Sequence, residues 1–294
     1  MKKLLLLISS FILIIALTGC SYDNKKAETK VLKMGLVPTS NSEKLIEDVQ
    51  PIANKLSEKL GVKVEAFTAS NYIGVIEGLN SGSVDFGLIP PFSSLLATSQ
   101  GNAKNILTAK GRDGQPGYKA VILVRKNANI NSIEDLKNKK VAFVDPSSTS
   151  GYIYPGAMIV NKGLSLEKDI VTQFTGGHDK SLQLLLNGDV DAIGSYENLL
   201  NKYAKDFPTA KDELKVLATS DLIPGITITV SNSLDADMQK KLKNALLELQ
   251  NDKETMELMT KLYSITGFEE VNQDVYKKVE ETAKSMNVEL DKVK

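Results

Sequence analysis

The amino-acid sequence predicts an α/β protein built as two similar lobes. Short apolar runs rich in β-branched residues alternate with longer stretches whose apolar residues recur at helical spacing. This alternation favours mostly parallel sheets with helices on both faces. Two segments, Tyr72–Gly87 and Ser181–Gly194, repeat one pattern, in which a helix is followed by a glycine turn and by a strand that begins at Val-Asp. The repeat indicates two similarly built lobes.

The predicted strands fall in the first 230 residues of the chain, and helices separate them. The strands are Val31–Leu36, Val62–Phe67, Val84–Ile89, Asn105–Ala109, Ala120–Arg125, Lys140–Val144, Val171–Phe174, Val190–Ile193, Lys215–Ala218 and Ile226–Val230. The clearest early helix is Lys44–Leu60, whose apolar residues share one face. After Val230 the pattern is almost purely helical, over Asp235–Gln250, Glu254–Leu262 and Gln273–Met286.

The first thirty residues have the pattern of an export signal. Two lysines precede an apolar run from Leu4 to Leu17, which is shorter than the roughly 20 residues that span a bilayer. The run ends at Leu17-Thr-Gly-Cys20, which resembles the lipobox of bacterial lipoproteins. The resemblance implies a signal peptide over residues 1–19, a lipid-bearing Cys20 that typically carries palmitate, and a polar tether over residues 20–30. A plain signal peptide followed by a chance or core cysteine is the alternative.

The composition excludes several classes of protein. A chain of 294 residues with 42% hydrophobic and 24% charged side chains is long enough to bury a sizeable core. Equal numbers of basic and acidic residues, 36 of each, argue against a protein that coats nucleic acid. A single cysteine and a single histidine exclude an internal disulfide, an iron–sulfur cluster and zinc sites that need several thiolates or imidazoles. No metal and no cofactor is predicted.

A loop of hydroxyl side chains is the most informative segment. The strand Lys140–Val144 is followed by a proline turn, and residues 147–150, all serine or threonine, precede a helical pattern. Backbone N–H groups are unpaired at a helix start and the dipole is positive there, so the hydroxyls and amides together can cradle a tetrahedral oxyanion. A serine-rich helix cap has the same appearance, and the loop alone leaves both interpretations open.

The single histidine lies in a second loop of the same kind. His178 follows Gly176 and Gly177 and lies between a predicted strand and a helix start. Open α/β sheets bind ligands at the carboxyl ends of their strands, although a lone histidine is more often structural. Ser148 and His178 could also be part of a catalytic triad, but Ser148 does not lie in a G-x-S-x-G turn. The binding interpretation is favoured.

Three further turns carry candidate features. Tyr118 precedes a strand and offers a phenolic hydroxyl and an aromatic wall, or it packs where the lobes cross. Glu197 opens a helix, where a carboxylate is also favoured for local reasons. The segment Asp221–Ile226, which contains Pro-Gly, is typical of a hinge-like turn.

In this order, these motifs resemble the substrate-binding proteins of ABC importers for phosphate, phosphite and phosphonate. The resemblance rests on Pro116–Tyr118, Ser148–Tyr152, Gly177–Asp179, Tyr196–Leu199 and Leu222–Gly225, and it extends over essentially the whole chain from Val31. It implies an α/β type II periplasmic-binding-protein fold, in which two doubly wound lobes joined by a two-crossing hinge close on a ligand. We expect lobe 1 at residues 31–122 plus 227–294, and lobe 2 at residues 123–226.

The resemblance also implies which residues contact the oxyanion. The family's contacts correspond here to Ser148, Thr149 and Ser150 in the hydroxyl loop and to His178. Tyr72 corresponds to the tyrosine of the family that reaches across from the first lobe.

Two further correspondences concern the substituent of the ligand. Tyr118 corresponds to an aromatic residue that lines the cleft, and Glu197 corresponds to the acid that receives the amino group of aminoalkylphosphonates. One position departs from the family, because Ile226 stands where an acidic residue is expected. The missing carboxylate favours phosphite, methylphosphonate or another short phosphonate with a neutral tail.

The sequence therefore predicts a monomeric, lipid-anchored receptor on the extracytoplasmic face of the cell membrane. It would capture a small phosphorus oxyanion and pass it to separate permease and ATPase subunits, with no enzymatic activity and no nucleic-acid partner. Two alternatives remain open: a secreted hydrolase that uses Ser148 and His178, and a type II receptor for a different small anion or for a thiamine-precursor pyrimidine.

Overall fold

Two separate β-sheets organise the protein in the computed structural model, which describes residues 31–293. The first sheet contains β1 (Val31–Leu36), β2 (Lys63–Thr68), β3 (Phe86–Ile89), β4 (Ala103–Lys110), β10 (Thr227–Ser231) and β11 (Gly267–Glu269), in the order β11-β4-β10-β3-β1-β2. The second sheet contains β5 (Gly117–Arg125), β6 (Lys140–Phe143), β7 (Val171–Phe174), β8 (Ala192–Tyr196) and β9 (Leu214–Pro224), in the order β7-β6-β8-β5-β9. We call the first sheet with its helices lobe 1 and the second lobe 2.

The strand directions differ from the mostly parallel sheets that the sequence predicts. Parallel pairing is confined to β2-β1-β3 in the first sheet and to β7-β6-β8 in the second. The other five pairs among the described strands are antiparallel. Four of these antiparallel strands, β4, β5, β9 and β10, flank the two passages of the chain between the sheets, so the mixed pairing comes from connecting the lobes.

Helices cover both sheets. They are α1 (Ser42–Leu60), α2 (Tyr72–Ser81), α3 (Pro91–Ser99), α4 (Tyr154–Val160), α5 (His178–Asn187), α6 (Leu199–Lys202), α7 (Ala210–Glu213), α8 (Ala236–Leu249), α9 (Lys253–Tyr263) and α10 (Gln273–Ser285). Asparagine side chains cap the first two helices, where Asn41 accepts from Lys44 N and Asn71 accepts from Gly74 N. Such caps satisfy backbone donors that a helix start leaves unpaired.

The repeated Val-Asp pattern has one structural role in both lobes. In lobe 1, the α2–β3 unit places β3 parallel to β1. In lobe 2, the α5–β8 unit places β8 parallel to β6. Asp85 accepts a hydrogen bond from Lys33 N at 2.7 Å, and Asp191 accepts one from Lys140 N at 2.9 Å. The two carboxylates therefore fix the start of the same strand pairing, which explains the repeat.

Two short segments carry the chain between the lobes, at residues 111–116 and 225–226. β5 belongs wholly to the second sheet, so the predicted boundary after residue 122 lies inside a strand of lobe 2. At these crossings the backbones approach so closely that a Cβ on Gly117 would overlap the carbonyl oxygen of Ile223, and one on Gly225 would overlap that of Ala109. Only glycine fits at such contacts.

One of the hydrophobic clusters of the core spans the two lobes. One cluster of buried side chains joins Tyr72, Ile89 and Phe92 of lobe 1 to Val144 and Ile153 of lobe 2. Separate clusters lie within each lobe. The lobes are therefore packed against each other in this structure.

The predicted signal peptide, Cys20 and the tether lie outside the described residues. Over residues 31–293, no helix has the length and apolar character needed to cross a membrane.

Candidate functional site

A cavity lies between the two sheets, beside the crossings. Its volume is about 110 Å³, and since one water needs only ~10–15 Å³ on this measure, it can hold a small ion with a short substituent. Six of the seven side chains predicted to contact ligand line it: Tyr72, Tyr118, Ser148, Ser150, His178 and Glu197. Thr149 is not among the lining residues.

The hydroxyl loop is held in place by a buried carboxylate. Asp145 Oδ1 accepts hydrogen bonds from the backbone N–H and the hydroxyl of Ser147, at 2.8 and 2.7 Å. The first turn after the loop, Thr149–Ile153, is a π-helical turn rather than the regular α-helix start that the sequence predicts, and α4 follows it. Ser148 caps this turn by accepting from Gly151 N at 3.1 Å.

Two backbone donors in this turn remain available. The N–H groups of Ser148, Tyr152 and Ile153 donate to backbone carbonyls of the same loop. Those of Thr149 and Ser150 have no acceptor within the described part of the chain. Unpaired amides beside the Ser148 and Ser150 hydroxyls form a donor set suited to an oxyanion.

Thr149 has a different position from the one predicted. Its hydroxyl oxygen accepts a hydrogen bond from Phe92 N of lobe 1 at 2.9 Å, and its side chain is fully buried. The neighbouring Ser147 carbonyl accepts from the Ser93 hydroxyl, also at 2.9 Å. Ser147 and Thr149 of the hydroxyl loop therefore join the lobes, while Ser148 and Ser150 line the cavity.

His178 begins α5 and is buried at the cavity wall. Its Nδ1 lies 2.7 Å from the Ser195 hydroxyl, and its ring packs edge-on against Tyr196 with centroids 4.8 Å apart. Burial, and secondarily the charge of Lys202, lowers the pKa of His178 to about 3. The imidazole is therefore neutral near pH 7, and it can donate from Nε2 when the Ser195 hydroxyl donates to Nδ1.

Tyr118 and Glu197 lie at neighbouring positions on the lobe 2 side of the cavity. Burial raises the pKa of Tyr118, so its phenol is a neutral hydrogen-bond donor. Glu197 is exposed at the rim, and its Oε1 accepts from Lys119 N at 3.2 Å. Ile226 lines the cavity at the lobe crossing, where the family pattern would place a carboxylate.

Four lining residues carry hydroxyl oxygens that are buried and have no hydrogen-bond partner in the described residues. They are Thr39, Tyr72, Tyr196 and Tyr263. A buried unpaired polar group costs about 1–3 kcal/mol, so several at one cavity indicate a missing partner. Burial raises the pKa of Tyr72 and of Tyr196, which keeps both as neutral donors.

Sequence reasoning missed three parts of this site. Thr39 lies in a loop of lobe 1 and Tyr263 ends helix α9, both far from any recognised motif, and Lys202 ends the short helix α6. Tyr196 and the first residue of α6 lie in the motif Tyr196–Leu199. This motif was the sequence signal that could have indicated that the region belongs to the site. The described residues contain no group of three or more His, Cys, Asp and Glu placed to hold a metal ion.

The structure also shows which contacts close the cavity. Tyr72 N donates to Asp145 Oδ2 at 3.3 Å, His178 N donates to the Thr39 carbonyl at 3.0 Å, and Asn41 N donates to Asp179 Oδ2 at 3.2 Å. Together with the two bonds of the hydroxyl loop, these contacts hold lobe 1 against lobe 2.

Comparison with known proteins places this architecture in a family. Residues 34–276 match the family described as ABC transporter, phosphonate, periplasmic substrate-binding protein. The chain belongs to this family. The resemblance predicted from the motifs is thereby confirmed, and so is the extracytoplasmic transport class that it implies.

Individual members of the phosphonate-binding family show how wide the similarity is. The Phosphate-import protein PhnD of Mycolicibacterium smegmatis is 34% identical over 80% of this chain and 79% of its own length. The Phosphonates-binding periplasmic protein of Escherichia coli is 32% identical over 73% of this chain, and this chain spans 65% of its length.

A solved structure supports the predicted fold. PhnD1 from Prochlorococcus marinus in complex with methylphosphonate has a TM-score of 0.78 with this chain at 24% identity, covering 88% of this chain and 99% of that one. The two-lobed α/β fold of periplasmic binding proteins is therefore confirmed.

Proposed function

We propose that this chain captures a small phosphorus oxyanion between its lobes and delivers it to an ABC importer. The observation that carries the proposal is the convergence of unpaired donors on one cavity between the lobes. These are the amide of Ser150 and the buried hydroxyls of Tyr72, Tyr196 and Tyr263, all on residues that line the cavity. A tetrahedral oxyanion presents several acceptors in different directions, which matches donors that come from both lobes.

The expected affinity follows from the number of these donors. A hydrogen bond to a charged group contributes about 1.5–3 kcal/mol net. Several such bonds, less the entropy lost on association, give micromolar or tighter binding. Because lobe closure is needed to bring both donor sets together, residues 111–116 and 225–226 act in this proposal as the hinge.

The lining also restricts the ligand's substituent. Among the described side chains, the charged ones along the cavity are Lys110, Arg112, Lys202 and Glu197, so cations outnumber carboxylates there. With Ile226 in place of an acid, a cationic aminoalkyl tail has only Glu197 to pair with among the described lining carboxylates, and it faces three lining cations. We therefore propose phosphite, phosphate or a short phosphonate with a neutral tail as the ligand. Relatives named for phosphate import and for phosphonate binding fit this range.

The geometry argues against the hydrolase alternative. Ser148 accepts from Gly151 N and has no hydrogen bond to His178, whose Nδ1 pairs with Ser195 instead. An imidazole whose pKa lies near 3 is also a weak general base at neutral pH. A binding role without turnover is the proposal that fits both observations.

The membrane anchor and the partners complete the proposal. We propose that Cys20 carries the lipid that holds the receptor outside the membrane, and that separate permease and ATPase chains receive the ligand. A Cys20→Ala variant should appear in the aqueous phase of a detergent partition, whereas the parent chain should appear in the detergent phase.

A ligand panel tests the proposed function directly. Purified protein should show a rise in melting temperature with phosphite, phosphate or methylphosphonate, because a ligand that binds only the folded state stabilises it. Sulfate and 2-aminoethylphosphonate are the comparison ligands, and calorimetry gives the dissociation constants. No shift with any phosphorus oxyanion, or a larger shift with sulfate, would remove the proposal.

A further inference from the structure

Lys202 is a part-buried cation at the wall of the cavity. Its Nζ donates to the Leu262 carbonyl oxygen at 2.9 Å, which links α6 of lobe 2 to the end of α9 in lobe 1. The ammonium also lies over the rings of Tyr203 and Tyr263, 5.6 and 5.9 Å from their centroids. The Leu262 carbonyl accounts for one of the three N–H groups of the ammonium, and the two ring contacts are cation–π contacts and not hydrogen bonds, so donor capacity remains.

Lys202 has no contacting counter-ion in the described part of the chain, although two aspartates act on it at longer range. Among the described residues no carboxylate lies within 4.0 Å of its Nζ, so it forms no salt bridge. The charged groups that act on it are Asp179 of α5, and Asp48 and Lys44 of α1. Asp179 is already engaged by Asn41 N and Lys180 N. The titratable rings next to it, His178, Tyr203 and Tyr263, are neutral near pH 7.

Lys202 lines the same cavity as the donor set. Its charge contributes to lowering the pKa of His178, and both residues line the same cavity. Desolvation outweighs the two aspartates and lowers the pKa of Lys202 itself to about 8. A partly buried cation without a counter-ion is unfavourable, and an anion in the cavity supplies what it lacks.

We propose that Lys202 is the charge anchor of the cavity and makes it selective for doubly charged phosphorus oxyanions over singly charged anions of the same shape. This inference rests on the proposed function and names a specificity determinant within it. Hydroxyl and amide donors recognise the tetrahedral shape, which a sulfonate shares with a phosphonate. The ammonium distinguishes them by charge, because its Coulomb attraction in a poorly solvated site grows with the charge of the ligand.

Calorimetry with a pair of isosteric anions tests this inference. Methylphosphonate carries two negative charges at about pH 9, whereas methanesulfonate carries one. In the parent protein, methylphosphonate should bind much more tightly than methanesulfonate. The side chain of Lys202→Met can retain the packing between the two aromatic rings. In this variant the affinity for methylphosphonate should fall about tenfold or more, and the affinity for methanesulfonate should fall less. The ratio of the two affinities should therefore become smaller. Lys205→Met, at an exposed lysine three residues later, should keep the parent's preference.

Proton uptake provides a second readout that a purely structural role would not change. At about pH 9, Lys202 in the empty cavity is largely unprotonated, and a bound dianion raises its pKa again. Binding to the parent protein should therefore take up a fraction of a proton, measured as a difference between binding enthalpies in two buffers of different ionisation enthalpy. Lys202→Met should show no such uptake. Lys202→Arg should keep the charge preference but also lose the uptake, because guanidinium does not titrate there.

The outcomes separate this inference from the proposed function. If the parent protein binds no phosphorus oxyanion, the proposed function fails. If the parent binds methylphosphonate but Lys202→Met keeps both the preference and the proton uptake, the charge anchor fails alone. Melting curves of the variants without ligand identify any loss that comes from unfolding, and Lys202→Arg then decides the matter, since lost preference in a folded Arg variant also overturns the inference.

Discussion

Buried phenols without partners are the feature at the residue scale that distinguishes the cavity from the core. Tyr72 and Tyr154 are both buried with unpaired hydroxyls, but only Tyr72 lines the cavity. The pair therefore distinguishes an unpaired donor at the cavity, which the proposed ligand can reach, from an unpaired donor away from it. No such distinction can be drawn from burial alone.

Removing the Tyr72 hydroxyl should weaken ligand binding without weakening the fold. Tyr72→Phe should lower affinity for the phosphorus oxyanion by about tenfold or more, because one hydrogen bond to a charged group is lost. Its melting temperature without ligand should stay the same or rise, since an unpaired buried hydroxyl is removed. Calorimetry and melting curves measure both. Tyr154→Phe is the matched control and should leave affinity unchanged; equal losses in the two variants would contradict the assignment of Tyr72.

His178 should make the fold sensitive to acid. The unfolded chain binds a proton at this residue below about pH 6.5, whereas the folded chain does so only near pH 3. Its contribution to stability is therefore complete above pH 6.5 and is lost as the pH falls towards 3. The fall in melting temperature between about pH 7 and pH 5 should be smaller in His178→Asn, which keeps a polar partner for Ser195 and does not titrate. Equal falls would show that another group dominates the acid response.

At the scale of elements, the lobe crossings depend on glycine. A Cβ at residue 225 would overlap the Ala109 carbonyl oxygen, which is backbone and cannot rotate away. We expect Gly225→Ala to cost about 1–3 kcal/mol of folding stability, as overpacking does elsewhere, with the loss measured by denaturant unfolding. Gly267→Ala is the control, because its nearest neighbours lie at 3.4 Å or more. An unchanged stability in Gly225→Ala would show that the crossing relaxes freely.

Most elements could be predicted from the sequence, and the exceptions have physical causes. Ten predicted strands correspond to β1 to β10, because apolar β-branched runs bounded by turns are a strong signal. β11 was missed, since three residues are too few for a pattern to register. The predicted strand direction was wrong for about half the strand pairs. Hydrophobic periodicity indicates which side chains are buried, whereas strand direction depends on where the chain passes between the lobes.

The candidate site divides in the same way. Ser148, Ser150 and His178, which line the cavity, could be predicted because a run of hydroxyls and a lone imidazole at strand ends are visible locally. Tyr263 and Lys202 could not, because they reach the cavity only through the packing of α9 against α6. The role of Thr149 in joining the lobes depends on Phe92, a contact across 57 positions in sequence that no local pattern indicates.

At the scale of the whole molecule, the closed form depends on bonds between the lobes. Thr149→Val should weaken ligand binding several-fold although its side chain does not line the cavity, because it leaves Phe92 N buried without an acceptor whenever the lobes close. Thr149→Ser keeps the acceptor and should bind as the parent does. Small-angle scattering should show the ligand-free parent to be more extended than the ligand-bound form, and Thr149→Val should need more ligand to compact. Identical affinity in the Val and Ser variants would contradict this role.

The order of strands in the first sheet affects how the protein folds while it is being synthesised. β10 lies between β3 and β4, yet the chain supplies it only after the whole of β5 to β9. When residue 224 emerges from the ribosome, lobe 2 has all five of its strands, whereas the older half of the molecule still has open edges on β3 and β4. Such edges invite pairing with other chains. A chain that ends prematurely after lobe 2 therefore lacks β10, and lobe 1 stays incomplete although it was synthesised first.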